Sequence, residues 1–178
     1  ALNFANGLHP GGGFQQGNHG QESLLCRSSA LFATLSGDPM YAAHAARPLP
    51  DSTDWAILSP EVPVFRADDG TLLDPPWPLG ILTCAAPYAP KLGQEAAAAL
   101  MQTRIRRVLA IARAYRYTRL VLGAWGCGTY GNDPARIAAI FHAALKEQAG
   151  AFQTVVFAIA DWSPERLFLT PFAAEFKA

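Results

Sequence analysis

Apolar positions along the chain follow two spacings, and their succession predicts an α/β fold. Short apolar runs typical of buried strands lie at residues 2–5, 78–86, 119–126 and 154–160. Between these runs, apolar residues recur at every third or fourth position, which is the spacing of amphipathic helices. Because buried strands that alternate with helices pack in layers, we expect a sandwich whose sheet is covered on both faces.

Three long helices and one shorter helical segment are predicted. Their limits are set by capping residues and by glycine or proline, with Asp133-Pro134 the clearest start because a carboxylate precedes a proline in the first turn. The last segment opens at Ser163 and is expected to break or kink at Pro171. The long helices cover residues 21–37, 94–117 and 133–150.

A β-hairpin is predicted between residues 55 and 74. Apolar residues flank Asp69-Gly70, a dipeptide typical of hairpin turns. Pro60 and Pro63 place the first arm at a sheet edge, since proline cannot donate a backbone hydrogen bond. The Pro/Ala-rich stretch 38–55 has little periodicity, and we expect a surface excursion with at most a short helix there.

Composition is that of a globular protein, and we expect residues 1–178 to form a single domain. Half of the residues are apolar, and 14 basic residues balance 14 acidic ones, so no net charge attracts nucleic acid or a membrane surface. Six arginines do cluster in one stretch, but their spacing predicts the solvated face of a helix. They are Arg104, Arg106, Arg107, Arg113, Arg116 and Arg119.

The cysteine and histidine spacings predict no metal site and no disulfide framework. Cys26, Cys84 and Cys127 are an odd number without a CxxC pair. The four histidines also lack the spacing of zinc ligands. We therefore expect no metal or cofactor, and the cysteine usage favours a reducing, cytoplasmic setting. No apolar run is long enough to span a bilayer.

Two glycine-rich loops each follow a predicted strand and precede a helix. The first is NFANGLHPGGGF, and the second is LVLGAWGCGTYGNDP. Glycine lets the backbone approach a ligand closely, and successive free N–H groups before a helix form an anion-binding nest. Tight turns alone would explain either loop, but two at one sheet edge favour a phosphate-bearing ligand.

Glu22, which lies between the first loop and the helix after it, is the candidate catalytic carboxyl group. Ordinary glycosidases need two carboxyl groups across the scissile bond, whereas a single one suffices if the substrate or a water molecule completes the machinery. The alternative role for Glu22 is purely structural, because a carboxylate stabilises a helix N-terminus through the helix dipole.

Several motifs in a fixed order resemble the microbial type of poly(ADP-ribose) glycohydrolase, a macrodomain variant. They are NFAN-x3-PGGGF-x6-QE with CRSS downstream, VPVFR-x-DDGTLLD-x-PWP, RIRRVLAIA and LVLGAWGCGTYGNDP, and they run from about Leu2 to Asp161. The resemblance implies a three-layer α/β/α macrodomain-like sandwich with a mixed, mostly parallel sheet. It also implies release of ADP-ribose from poly(ADP-ribose) by cleavage of a ribose–ribose bond, without a metal.

The resemblance further implies a set of ADP-ribose-binding residues. The first glycine loop would surround the distal ribose, Asn6 would lie close to that sugar, and Tyr130 matches a position where the family has an aromatic residue against it. The amides of the second loop would hold the diphosphate. The set comprises Asn6, Gly11, Gly12, Gly13, Gln21, Gly126, Cys127, Gly128, Thr129, Tyr130 and Gly131.

Three departures from the family pattern bear on activity. The family motif ends in Gln-Glu-Glu, with the second glutamate as catalytic acid, whereas this chain has Gln21-Glu22-Ser23. A serine hydroxyl cannot replace that acid, and its loss typically lowers the rate 10²–10⁴-fold. Family members commonly have an asparagine near the sequence position that Tyr88 occupies here. Family members also usually carry more chain before the first strand here, including a further strand or two, so that either the fold is trimmed or its N-terminal part is absent from the given sequence.

Three functions that involve ADP-ribose therefore remain open, besides an unrelated nucleotide-binding role. The chain is a hydrolase in which Glu22, shifted by one residue, or a substrate-assisted water provides acid catalysis. Alternatively, it binds ADP-ribose or ADP-ribosylated protein without cutting it, because of Ser23. A third possibility is cleavage of a mono-ADP-ribosyl ester or another bond whose better leaving group needs less acid catalysis.

Overall fold

The computed structural model describes residues 1–47 and 52–176. Their contacts divide into two compact units, residues 1–85 and residues 86–178. Each unit contains strands and helices of its own, and each is described separately below.

The first unit is built around a mixed three-stranded sheet in the order β1-β3-β2. β1 (Leu2–Ala5) pairs in parallel with the end of β3 (Leu72–Ala85), and β2 (Ala56–Arg66) pairs with β3 in antiparallel fashion. The Asp69-Gly70 turn joins β2 to β3, which confirms the predicted hairpin, and β2 occupies the terminal position that its prolines predicted. The predicted strand 78–86 is not separate, however, because it continues the second hairpin arm as one long strand.

Among its described residues, three helices and one 3₁₀ segment complete the first unit. The 3₁₀ segment covers Pro10–Gln16, and α1 (Gln21–Ser28), α2 (Leu31–Leu35) and α3 (Pro39–Ala45) follow it. The core beneath them contains Cys26, Leu31, Leu35, Met40, Tyr41, Val62 and Ile81.

The single helix predicted over residues 21–37 is wrong, because Ser29 interrupts it. Ser29 adopts an extended conformation and forms a β-bridge with Val64, while the N–H of Ala30 donates to the carbonyl of Pro63. Pairing with β2 thus replaces the helical hydrogen bonds at this point. The short helix expected in the stretch 38–55 is α3, and residues 48–51 of that stretch lie outside the described residues.

The second unit contains a parallel strand pair and four helices among its described residues. β4 (Arg119–Leu122) pairs with β5 (Thr154–Phe157). α4 (Ala89–Leu92) and α5 (Gln94–Ala114) precede β4, α6 (Pro134–Glu147) connects the strands, and α7 (Leu169–Glu175) follows β5. Asp133 caps α6 as predicted, since its Oδ1 accepts from the N–H groups of Ala135 and Arg136.

Two sequence predictions for the second unit need correction. Its strands are not buried on both faces, because Val121 of β4 is 44% exposed and Val156 of β5 is 49% exposed. The last helix begins at Leu169 and not at Ser163, so that Pro171 lies in its first turn and does not kink it. Proline is tolerated there because the first N–H groups of a helix have no partner within the helix.

The arginine stretch also departs from the prediction of a uniformly solvated helix face. Arg104 is buried, at 1% exposure, as are Met101, Ile105 and Val108 of the same helix.

No helix within residues 1–47 and 52–176 combines the length and hydropathy needed to cross a bilayer.

Candidate functional site

The three consecutive glycines of the 3₁₀ segment are required by its backbone. Gly11, Gly12 and Gly13 have φ angles of 76°, 60° and 79°, a left-handed region that other residues adopt only with strain. Space is also limiting, since a Cβ at Gly12 would lie 2.8 Å from Oε2 of Glu22, and one at Gly13 would lie 2.5 Å from Nδ2 of Asn18. The sequence predicted this loop from its glycines, and the structure gives their physical reason.

Glu22 is a buried carboxyl group that connects three segments of the first unit. Its Oε2 accepts from the N–H of Asn6 at 2.8 Å, and its Oε1 accepts from the N–H of Gly11 at 3.2 Å and from Nδ2 of Asn3 at 3.3 Å. The residue is only 4% exposed because it lies in the first turn of α1, beneath the glycine segment. Glu22 therefore holds the end of β1 and the start of the 3₁₀ segment against α1.

Burial changes the acidity of Glu22. Desolvation raises its pKa from the ordinary value of 4.5 to about 7, although the hydrogen bonds from Asn6, Asn3 and Gly11 oppose the shift. A carboxyl group with this pKa is protonated in about half of the molecules at neutral pH, as a general acid requires. Both of its oxygens are already engaged, however, so donation to a substrate requires one of these hydrogen bonds to be exchanged.

Ser23, the residue that follows, contributes a hydroxyl group to the same loop. Its Oγ is 3.4 Å from the carbonyl of Gly11 and 3.3 Å from that of Gly12, to which it donates. The residue is 1% exposed. This position next to Gly12 thus carries a hydroxyl group and no carboxyl group.

Gln21 and Asn6 organise the backbone on either side of Glu22. The Gln21 carboxamide accepts from the N–H of Phe4 at 2.9 Å and donates to the carbonyl of Leu2 at 2.8 Å, so that it pairs with β1. Oδ1 of Asn6 accepts from the N–H groups of Leu8 and His9. Gln21 is consequently directed at the strand, whereas Asn6 shapes the turn that leads into the glycines.

A cavity of about 500 Å³ opens on the glycine segment. Its wall includes neutral polar and aromatic side chains as well as two of the glycines, and Glu22 lies outside this wall although it contacts Gly12. The residues that shape the cavity include Asn6, Gly12, Gly13, Phe14, Gln16 and Asn18. Its volume is in the range of small-molecule sites.

The loop 126–131 of the second unit is held by a neutral side chain. Gly126 and Gly131 have φ angles of 78° and 63°. The buried carboxamide of Asn132 donates to the carbonyls of Pro87 and Gly126 at 3.0 Å each, and to that of Tyr130 at 3.4 Å. A Cβ at Gly126 would lie 2.7 Å from Cβ of Ala86 and 2.8 Å from Nδ2 of Asn132, which explains the glycine.

Backbone amides of this loop remain available to a ligand. Within the described residues, the N–H groups of Gly126, Gly128 and Thr129 donate to no protein acceptor, whereas Cys127 donates to Ala124 and Gly131 to Gly128. Gly128 and Thr129 are consecutive and exposed. Consecutive N–H groups without a protein acceptor, close before the capped N-terminus of α6, are suited to an anion.

The two side chains predicted to matter most in this loop differ in environment. Burial raises the pKa of Cys127 to about 12, which keeps it a thiol and excludes a nucleophilic thiolate at neutral pH. Tyr130 is half-buried and packs edge-to-face on Tyr88, with ring centroids 6.1 Å apart. Tyr130 and Tyr88 thus form an aromatic pair beside the loop.

Within each unit the structure brings the predicted residues together. Asn6, Gln21, Glu22 and the three glycines cluster in the first unit, and the loop 126–131 forms one turn in the second. Three asparagines that brace these loops were missed, namely Asn3, Asn18 and Asn132. Only Asn132 carried a signal, because it directly follows the last loop glycine. In the part of the chain that the structure describes, no group of three or more potential metal ligands comes together.

Comparisons with known proteins support a relationship along the whole chain. The family model for the catalytic domain of microbial-type PARG, poly(ADP-ribose) glycohydrolase, matches residues 1–67. The structure of PARG from Thermomonospora curvata bound to the inhibitor ADP-HPD superposes with a TM-score of 0.92 at 44% identity, covering 98% of this chain and 69% of that one. A comparison with curated proteins finds no match.

A second solved structure gives the same result. PARG from Deinococcus radiodurans in complex with ADP-ribose has a TM-score of 0.91 and 41% identity, covering 99% of this chain and 73% of that one. These likenesses confirm the predicted α/β fold class and its mixed sheet.

Proposed function

This chain belongs to the microbial-type poly(ADP-ribose) glycohydrolase family, and we propose that it binds ADP-ribose and hydrolyses a glycosidic bond of poly(ADP-ribose) or of protein-linked ADP-ribose. The observation that carries the proposal is the 44% identity, over 98% of the chain, to a PARG whose structure holds the inhibitor ADP-HPD. The glycine segment with its three left-handed residues and the loop with free amides support it.

In this proposal the two loops bind different parts of the ligand. Gly11, Gly12, Gly13 and Asn6 contact the distal ribose. The diphosphate accepts hydrogen bonds from the backbone of residues 126–131, chiefly from Gly128 and Thr129. Tyr130 lies against a sugar face, and Gln21 contributes by fixing β1. Backbone donors suit this ligand because they recognise phosphate without a lysine or arginine.

We assign the role of general acid to Glu22. Its protonated form gives a proton to the oxygen of the leaving group while positive charge develops on the ribose. A water molecule then attacks the anomeric carbon and gives up a proton to the Glu22 carboxylate, which restores the acid. The raised pKa of about 7 favours this role, since a proton must be present on the carboxyl group at neutral pH. The hydrogen bond from the N–H of Asn6 or Gly11 is exchanged for one to the substrate.

The second candidate function is binding without cleavage, and Ser23 favours it. With a hydroxyl group at the family's acid position and both Glu22 oxygens accepting from the protein, the chain then recognises ADP-ribose on a polymer or a modified protein. Such a protein retains affinity for ADP-ribose but turns over no substrate.

One set of incubations separates these candidates. The protein is mixed with purified poly(ADP-ribose), and with proteins that carry mono-ADP-ribose through ester and other linkages, and free ADP-ribose is measured over time. We expect release by the wild type that is lost in Glu22→Gln, which has nearly the same shape. Calorimetry with ADP-ribose controls for binding in both proteins.

Ser23→Glu is the matched gain-of-function variant. Release by Ser23→Glu together with none by the wild type would establish the non-cleaving function, because the rest of the site would then be competent. Unchanged release by Glu22→Gln would contradict the assignment of Glu22 as the acid. Absence of ADP-ribose binding in the wild type would contradict both candidate functions.

A further inference from the structure

The second unit carries a strongly basic stretch within a chain of zero net charge. Residues 96–132 contain six arginines and no aspartate or glutamate. The structure divides these arginines into different environments. Arg104 is buried, and Arg106 forms a two-point ion pair with Glu147, with N–O distances of 3.0 and 2.6 Å. Arg113 in the last turn of α5, and Arg116 and Arg119 after it, lie close together in the sequence.

Three of the arginines occur within seven residues, together with two tyrosines. We call residues 113–119, with the sequence RAYRYTR, the basic turn. Arg113, Arg116 and Arg119 are exposed, and among the described residues none of them pairs with a carboxylate. Tyr115 is 64% exposed, and Tyr117 is half-buried. Cationic and aromatic side chains thus alternate along one short exposed segment.

The backbone of the basic turn indicates that Arg116 is not there for stability. Arg116 has a φ of 61°, while its N–H donates to Arg113 and the N–H of Tyr117 donates to Ala112. This is the left-handed position that ends a helix, where glycine is usual because a side chain is strained there. An arginine at this position costs folding free energy, and positions of that kind often serve a function.

The basic turn lies at the opposite end of β4 from the loop 126–131. Arg119 begins β4 and Leu122 ends it, so that about 10 Å of strand separates the basic turn from the start of that loop. β5 begins beside the basic turn, because the N–H groups of Gln153 and Thr154 donate to the carbonyl of Thr118. Both residues are uncharged. Glu147, at the same end of α6, is already paired with Arg106.

We propose that the basic turn is a second binding site, which holds a segment of poly(ADP-ribose) remote from the bond that is cleaved or recognised. The inference rests on the proposed function. Each polymer unit carries a diphosphate and an adenine, which match exposed arginines and an exposed tyrosine respectively. Arginine pairs with phosphate through its planar guanidinium, and bases stack on aromatic rings irrespective of sequence. A single ADP-ribose held by the loop 126–131 does not require this second contact.

The first test measures the salt dependence of polymer binding. Three arginine–phosphate contacts contribute a slope of about −2 to log K against log salt, which corresponds to roughly an 18-fold loss of affinity between about 50 and 200 mM salt. We expect the triple variant Arg113→Gln, Arg116→Gln, Arg119→Gln to lose this contribution. Arg106→Gln is the control for a change of charge outside the basic turn, since it removes one positive charge from a paired arginine of α5, and its slope should equal that of the wild type.

Calorimetry with ADP-ribose alone makes this test independent of the proposed function. The triple variant should bind the monomer as tightly as the wild type does. If the wild type binds no monomer, the proposed function fails, whereas equal polymer affinity and slope in the wild type and the triple variant overturn the second site.

Two single variants examine the aromatic and backbone arguments. Tyr115→Ala should weaken polymer binding at least about fivefold, whereas Tyr115→Phe should not, because stacking needs the ring alone. Arg116→Gly should raise the melting temperature yet weaken polymer binding. If single-stranded oligonucleotides bind as tightly as poly(ADP-ribose) and respond equally to the triple variant, the surface is a nucleic-acid site and the assignment to poly(ADP-ribose) is overturned.

Discussion

The two glycine loops have similar sequences but are held in different ways. The glycine segment of the first unit is fixed by a buried carboxyl group, because Glu22 accepts from Asn6, Gly11 and Asn3. The loop 126–131 of the second unit is fixed by the carboxamide of Asn132, which donates to three carbonyls. The Glu22 carboxyl group, the brace of the first loop, is titratable, whereas the Asn132 carboxamide, the brace of the second, is not. The two loops should therefore respond differently to the same substitution and to a change in pH.

The largest expected difference comes from placing alanine in each loop. Gly126→Ala should cost about 3–5 kcal/mol of unfolding free energy, because its Cβ would lie 2.7 Å from Cβ of Ala86 and 2.8 Å from the hydrogen-bonded Nδ2 of Asn132, and because its φ of 78° is strained. Gly12→Ala should cost about 2–3 kcal/mol, since the obstructing atom is the end of the Glu22 side chain. Urea unfolding measures both.

Gly128→Ala is the control for these two variants. No atom lies within 4 Å of the added Cβ, and its φ is not left-handed. We expect a change of under about 0.5 kcal/mol. A loss at Gly128 equal to that at Gly126 would show that steric fit does not explain the glycines.

The next effect is a pH dependence that only the first loop should show. Because the pKa of Glu22 rises from 4.5 in the unfolded chain to about 7 in the fold, the native state holds a proton that the unfolded state has released. The resulting stabilisation is complete below about pH 4.5 and is lost as the pH rises to 7, a total of about 3 kcal/mol. The difference in unfolding free energy between wild type and Glu22→Gln, measured from pH 4 to 8, isolates this contribution.

Amide NMR shifts assign the titration to its loop. The N–H signals of Asn6 and Gly11 should titrate with a midpoint near 7, and Asn132 should not follow them. A titration at both loops, or one that persists in Glu22→Gln, would contradict the distinction between the two braces.

Removal of the neutral brace should have a smaller effect. Asn132→Ala leaves the carbonyl of Pro87 without its donor and removes the bonds to Gly126 and Tyr130, so we expect a loss of about 2 kcal/mol. This loss should be the same at pH 5 and pH 8, because no titratable group is involved. Denaturant unfolding at the two values checks it, and a strong pH dependence would contradict it.

The smallest effect is expected at Ser23. Its hydroxyl donates over 3.3–3.4 Å to the carbonyls of Gly11 and Gly12, which is long for an O–H donor. Ser23→Ala should therefore cost no more than about 1 kcal/mol and should leave ADP-ribose affinity unchanged. A loss comparable to that in Gly12→Ala would mean that the hydroxyl group, and not Glu22, holds the loop.

The features that could be predicted from the sequence are those that depend on residues close together along the chain. The cap at Asp133-Pro134, the turn at Asp69-Gly70 and the glycines of both loops follow from local backbone preferences. Ser29 shows what could not be seen, because its helix break depends on pairing with Val64, a residue distant in sequence. The exposed face of β5 was missed for a similar reason, since an apolar run does not show which face of a strand other elements cover.

The candidate site was predicted in its residues but not in its contacts. Glu22 was singled out because it is the carboxyl group next to the glycines, yet its three donors come from β1, from Asn6 directly after β1 and from the 3₁₀ segment. These donors are distant from Glu22 in sequence and meet it only when the chain folds. Asn132 was near a recognised motif, whereas Asn3 is a buried polar residue in an apolar strand and its role appears only with its partners.

The Gln21 side chain has a consequence for self-association. By bonding to Leu2 and Phe4, its carboxamide occupies backbone groups that β1 directs away from β3. An outer strand with vacant backbone groups is a template on which another chain can add a strand, and proteins cover such edges to prevent aggregation. Gln21 takes the place of an intruding strand with a single side chain. The residue that begins the helix beneath the glycines thus also covers backbone groups at the edge of the sheet.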